Sequence, residues 1–201
     1  MNTLKKHILF CMCLTTCVAF SQVGIGTVSP SATLTIDSGS DPIAALELVP
    51  QATPTTNLAD GQLAVINGKL YLYDDSVRNS WLSVETVALQ FGRNGNVDTD
   101  NLHFGGNMVS GTSGALMPAD GTIVAITAMA ASGADTDINI RARDAGGTNA
   151  INETFSLTSL RYTDNTANLQ FNAGDYITAR ARDGATTATD VTVIVWVKWR
   201  Q

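Results

Sequence analysis

From residue 122 to the end of the chain, apolar and polar positions alternate with the period of two that marks β-strands, and no segment carries a helical period. Clusters of Gly, Asn and Asp divide this region into predicted strands at 122–130, 137–143, 153–160, 168–171, 176–182 and 190–200. These strands are of two kinds. Ile138, Ile140 and Ala142 alternate with Asn139, Arg141 and Arg143, and Ile177, Ala179 and Ala181 alternate with Thr178, Arg180 and Arg182. Each of these two predicts one face in the core and one in water. Strands 122–130 and 190–200 are instead apolar on both sides. In the last, Val191, Val193, Val195, Val197 and Trp199 form one row, while Ile194 and Trp196 interrupt Thr192, Lys198 and Arg200 in the other.

A two-layer sandwich buries one face of each sheet, so the second apolar row needs a cover. Val124 and Ile126 are expected to share that outer face with Ile194 and Trp196. A second copy of the chain is the expected cover, which makes these four residues the predicted interface. A loop of the same chain, such as 94–114, is the alternative.

Upstream, Gln62 to Ile66 and Lys69 to Tyr73 flank Asn67-Gly68, the dipeptide suited to the two positive φ angles of a type I′ hairpin turn. A third strand follows at 80–84, so a small hairpin module is expected at 61–88, with the larger domain at 89–201. Residues 22–60, rich in Gly, Ser, Thr and Pro, read as an extended stem. Within it Pro50 and Pro54 bracket a spacer, since proline blocks helix and withholds a ladder donor. The stretch from Phe91 to Gly114 is dense in Gly and Asn and reads as loop.

The N-terminus has the layout of a secretory signal peptide over 1–21: Lys5 and Lys6, an apolar run from Ile8 to Phe20, and a cleavage point between Ser21 and Gln22. The run is too short to settle across a bilayer core of about 30 Å. Export to the cell surface or medium is the expectation. All three cysteines, Cys11, Cys13 and Cys17, lie in this leader, so cleavage removes thiol chemistry, disulfides and cysteine-ligated metals together. Lipidation at Cys17 is a competing route to the surface. Loss of Lys5 and Lys6 leaves 10 basic residues against 18 acidic ones, a net charge of −8 that repels nucleic acid and anionic lipid.

Two resemblances follow from short motifs. Leu116 to Ile126, then Phe171-Asn-Ala-Gly-Asp-Tyr-Ile177, then the closing strand Val191 to Trp199 resemble the trimeric jelly rolls of the C1q and tumour-necrosis-factor type, a head also found on spore surfaces and phage fibre tips. Val23-Gly-Ile-Gly-Thr-Val-Ser-Pro30, Leu70 to Asp74 and Trp81 to Glu85 resemble the stem of secreted bacterial proteins related to tail fibres. The likeness implies an all-β fold: a C-terminal jelly-roll sandwich preceded by a small β-hairpin stem, assembled as a homotrimer about the sheet that holds the first and last strands. Six predicted strands fall short of the eight to ten such a head needs. The remainder must come from 91–116 or from irregular segments.

Candidate chemistry is sparse. Asn94, Asn96, Asp98 and Asp100 offer oxygens at alternate positions, the spacing of a loop around Ca²⁺, without the central glycine or closing glutamate of an EF-hand. A plain polar turn is the alternative. His103 is the lone histidine after the leader, and Glu47, Glu85 and Glu153 lie in separate segments, so neither a triad nor a carboxylate pair is assembled by the sequence. No cofactor and no catalysis are expected. Arg141, Arg143, Arg180 and Arg182 form a basic stripe, a candidate ligand site for an anionic glycan unless each is solvated or paired with Asp144 or Asp183. The expected function is that of a structural or adhesive protein presenting its head for binding or assembly, with a carbohydrate-binding module, aided by calcium or not, as the second reading.

Overall fold

The computed structural model describes residues 23–25, 28–29, 32, 34–40, 42, 44–108, 113–182 and 187–201. The expected cleavage point at Ser21 and Gln22, and Cys17, lie outside the described residues. Among the described residues every regular element is a strand, and no helix is long and apolar enough to cross a membrane.

The chain divides into two compact units, Met1–Val49 and Pro50–Gln201. In the first, β1 (Val23–Ile25) and β2 (Leu34–Ile36) pair in parallel, Gly24 opposite Thr35.

The second unit opens with a three-stranded sheet, β3 (Leu63–Ile66), β4 (Lys69–Asp74) and β5 (Ser80–Ser83). The predicted turn is present, with φ of 51° at Asn67 and 76° at Gly68. Ala64, Ile66, Tyr71, Tyr73 and Trp81 form its core. The proline segment is extended as expected but docked, not free. Gln51 N–H donates to the Val65 carbonyl at 2.9 Å, and the Trp81 indole donates to the Pro54 carbonyl at 3.0 Å.

The remaining strands are β6 (Val87–Val97), β7 (His103–Phe104), β8 (Asn107–Met108), β9 (Ala115–Leu116), β10 (Gly121–Met129), β11 (Ser132–Gly133), β12 (Asp137–Arg143), β13 (Asn149–Ser156), β14 (Arg161–Asp164), β15 (Leu169–Phe171), β16 (Tyr176–Ala181) and β17 (Ala188–Trp199). They form two antiparallel sheets. One runs β14-β10-β17-β6-β7-β8, with β15 also on β10 and β11 on β17; the other runs β13-β12-β16-β9. Both sheets contribute to a single core, with Phe91, Ile123, Ile126, Val193 and Val195 from the first and Ile138, Ile140, Ala142, Phe155, Ile177 and Ala179 from the second. Phe155 and Tyr162 stack at 4.0 Å between one edge of each sheet.

The predicted strands at 137–143 and 176–182 match β12 and β16 closely. Three regions differ. The reading of 91–114 as loop gives way to β6, β7 and β8. Strand 153–160 lies four residues earlier, as β13, and 161–164 forms the unpredicted β14. The expected boundary at residue 88/89 falls inside β6. The hairpin module is bound to the larger domain by the Lys198 ammonium on the Ser83 carbonyl (2.8 Å), the Trp199 N–H on Ser83 Oγ (3.0 Å) and Gln201 N–H on the Trp81 carbonyl (3.1 Å). Arg78 completes the junction. Its guanidinium donates to the carbonyls of Ala167 and Val124 at 2.9 Å and pairs with Asp74 at 2.7 Å.

Candidate functional site

Two surfaces stand out, one on the outer side of each sheet.

The first is the outer row of β17, the strand that lies between β10 and β6. Its odd positions, Val191 to Val197, are fully buried as the alternation predicts. On its even positions Ile194 and Trp196 are half-buried within the single chain, flanked by Thr127 and Ala125 of β10 and by Gln90 and Ala88 of β6. Met129, on the same face, is 47% exposed. Thr127, Met129, Arg161, Thr163, Thr192 and Ile194 border a depression of about 220 Å³. None of these outer positions carries a carboxylate, although the chain as a whole is acidic.

Val124 and Ile126 do not belong to this surface. A bulge between Ile123 and Ala125 inserts an extra residue into β10 and reverses the alternation beyond it. Ile126 therefore points into the core at 1% exposure, opposite Val195. Val124 is 9% exposed at the bulge, with its carbonyl held by Arg78. The face is thus narrower than the sequence suggests, with Ala125 and Thr127 taking the outward places on β10.

The second surface is the outer side of β12 and β16, which the sequence predicts to be wet. The structure corrects this: Asn139, Arg141 and Thr178 are buried, Arg143 and Arg180 half-buried, and only Arg182 is exposed. Pairing sets them in rows. Asn139 lies opposite Arg180, Arg141 opposite Thr178, and Arg143 opposite Tyr176. Beyond β12, Thr154 and Asn152 continue the first two rows on β13. The Asn139 amide donates to the Asn152 side chain, the Glu153 carbonyl and the Thr154 hydroxyl, at 2.8–3.1 Å, and Arg143 Nε donates to Asn149 at 2.7 Å.

The four predicted arginines are therefore brought together, half of the eight in the chain. Burial pushes the Arg141 guanidinium below its ordinary pKa, and the positive charges of Arg143, Arg180 and Arg182 push it further; burial, Arg182 and Arg143 do the same to Arg180. Arg141 Nε, Arg180 Nε, Thr178 Oγ1 and Asn139 Oδ1 are buried on this face without a hydrogen-bond partner. Sequence alternation put Asn139 and Thr178 on this face but expected them in water; their burial, and the place of Tyr176 opposite Arg143, come from the strand pairing.

No protein-family model and no curated protein matches this chain.

The predicted calcium loop is half strand, with only Asp98 and Asp100 in the bend after β6. Asn94 and Asn96 lie in β6, and Asp100 is neutralised by Arg93 at 3.0 Å while accepting the Asp98 N–H at 3.4 Å. The Asn96 side chain accepts from Thr189, and the Gly95 N–H is taken by Asp190. Of the four side chains, Asn96 and Asp100 are thus engaged within the protein, and among the described residues no three His, Cys, Asp or Glu side chains converge. Asp135 has a local task, accepting the N–H groups of Ser159 and Leu160, whose φ angles are both positive. His103 pairs across from Gly92 and borders a depression of about 560 Å³ with Gln90 and Phe104.

Proposed function

We propose that the protein is a secreted or cell-surface structural or adhesive protein without catalytic activity, whose C-terminal domain is a jelly-roll head that assembles as a homotrimer through the outer face of the β14-β10-β17-β6 sheet. The observation that carries this reading is the incompletely buried apolar row of Ile194 and Trp196 on a central strand. Such a strand normally presents polar residues to water on its second side. A copy of the same chain suits it as a cover. Two molecules of net negative charge repel, and this face, free of carboxylates and edged by Arg161 and Lys198, is where like-charged copies meet at least cost. The strand order supports the jelly roll: β6 and β17, first and last of the two sheets, are neighbours, and the chain passes back and forth between β14-β10-β17-β6 and β13-β12-β16-β9. The basic N-terminal residues and short apolar run support export.

Trp196→Glu tests the assembly. It places a carboxylate of each copy at the shared surface, and sedimentation should report a single-chain mass where the unmodified protein reports three. An unchanged mass for the variant locates the interface elsewhere.

A further inference from the structure

We propose that the outer face of β12 and β16 binds a linear acidic polysaccharide, with Arg141, Arg143, Arg180 and Arg182 receiving its sulfate or carboxylate groups. This goes beyond the assembly reading and involves the other sheet.

A buried arginine with a structural role is normally paired with a carboxylate, because an unpaired charge in a dry site is costly. Arg141 is 8% exposed, its Nε has no acceptor, and the charges that act on it most are three further guanidiniums. Among the described residues no ion pair engages Arg141, Arg180 or Arg182. On the outward rows of the two strands the sole carboxylate is Asp137, which accepts the Ser156 hydroxyl at 2.6 Å and lies opposite Arg182, two rows from Arg141. The outward rows thus bring no carboxylate to Arg141, and an oxyanion from outside supplies the balancing charge there.

The geometry selects the kind of anion. Arg141 and Arg143 are two residues apart on β12, as are Arg180 on β16 and Arg182 just past its end, so positive charge steps every ~7 Å along each strand. With Arg180 opposite Asn139 and Arg141 opposite Thr178, the four guanidiniums follow one diagonal line of one charge per row. A single ion satisfies one step of such a row, and a polymer with regularly spaced anionic groups satisfies several. Guanidinium forks match the paired oxygens of carboxylate and sulfate. Past Arg143 the row opens into a cleft of about 460 Å³ lined by Leu116, Gly146, Gly147, Gly174 and Tyr176, where Leu116 and Tyr176 offer an apolar platform for the C–H face of a sugar ring. The acidic remainder of the surface discourages nucleic acid and anionic membranes, which cover wide areas, more than a thin chain lying along one row.

Titration calorimetry on the full mature protein at low salt, with heparin oligosaccharides as the sulfated probe and oligogalacturonate as the carboxylated one, tests the inference. At least one should bind, and which one does identifies the anionic group. Arg141→Gln and the half-exposed Arg180→Gln should each weaken binding by about tenfold or more, as expected for loss of a charge-assisted hydrogen bond. Lys69→Gln, an exposed position on the hairpin module, should stay within about twofold, since it leaves the row intact. A thermal melt checks that Arg141→Gln folds, and Arg180→Gln decides the matter where it does not. Failure of both probes to bind, or equal loss in Lys69→Gln and Arg180→Gln, overturns the proposal. Assembly is read by mass, so either proposal can fail without the other.

Discussion

Arg141→Met removes a buried charge while leaving a side chain of similar length. The guanidinium is 8% exposed with an unpartnered Nε, and three like charges lie close by. A buried polar group without a partner costs ~1–3 kcal/mol, and most of the packing along the arginine stem is retained by methionine. Against this stands whatever the remaining guanidinium nitrogens gain, so the net expectation is stabilisation by ~1 kcal/mol. For a domain of this size that raises the melting temperature by ~2–4 °C. Urea unfolding of both proteins in sulfate-free buffer should show a higher midpoint for the variant at unchanged slope. The variant should also lose the stabilisation that a bound anion confers on the parent. A loss of ~2 kcal/mol or more would refute the reasoning, because it would mean that Arg141 is already well paired within the protein.

Arg78→Met should cost ~3 kcal/mol, since it strands Asp74 and two carbonyls at the junction between the hairpin module and the larger sheets, and thermal melting would read it. The same pair predicts acid sensitivity. Burial raises the Asp74 pKa, but the hydrogen bonds from Arg78 and the Val77 N–H outweigh it and hold the group below its ordinary 3.8. The pair's contribution is therefore present above that value and lost as pH falls through the lower folded-state pKa; a pH titration of stability should show a smaller acid-range slope in Arg78→Met than in the parent. Gly121→Ala should destabilise by ~1–3 kcal/mol: an added methyl would lie 2.4 Å from the Phe171 ring and 2.9 Å from the Lys198 carbonyl, both in the packed interior, and a melting temperature equal to the parent's would contradict that packing.

The parts of this fold legible in the sequence are those where one strand's own alternation decides the outcome. Val191 to Val197, the Ile138 and Ile177 rows and the Asn67-Gly68 hairpin each carry their instruction locally. The misses are places where a neighbour decides. β6 runs through Gly92 and Gly95 and reads as loop, yet it is held along its length by β17; the Gly92 site faces the Val191 carbonyl, 3.4 Å from where a Cβ would sit. The β10 bulge changes the direction of Ile126 without any composition signal, since Ile-Val-Ala-Ile is apolar in either register. In the candidate site, sequence alternation brought the four arginines to one face. The burial of Arg141 depends on Thr178 opposite it and on Asn152 across β13, which only the pairing reveals.

The assembly claim is tested most directly by the mass in solution of the unmodified mature protein, measured by light scattering at micromolar concentration. Three chains per particle is the predicted result. A particle of one chain would contradict it, and would leave Ile194 and Trp196 facing water.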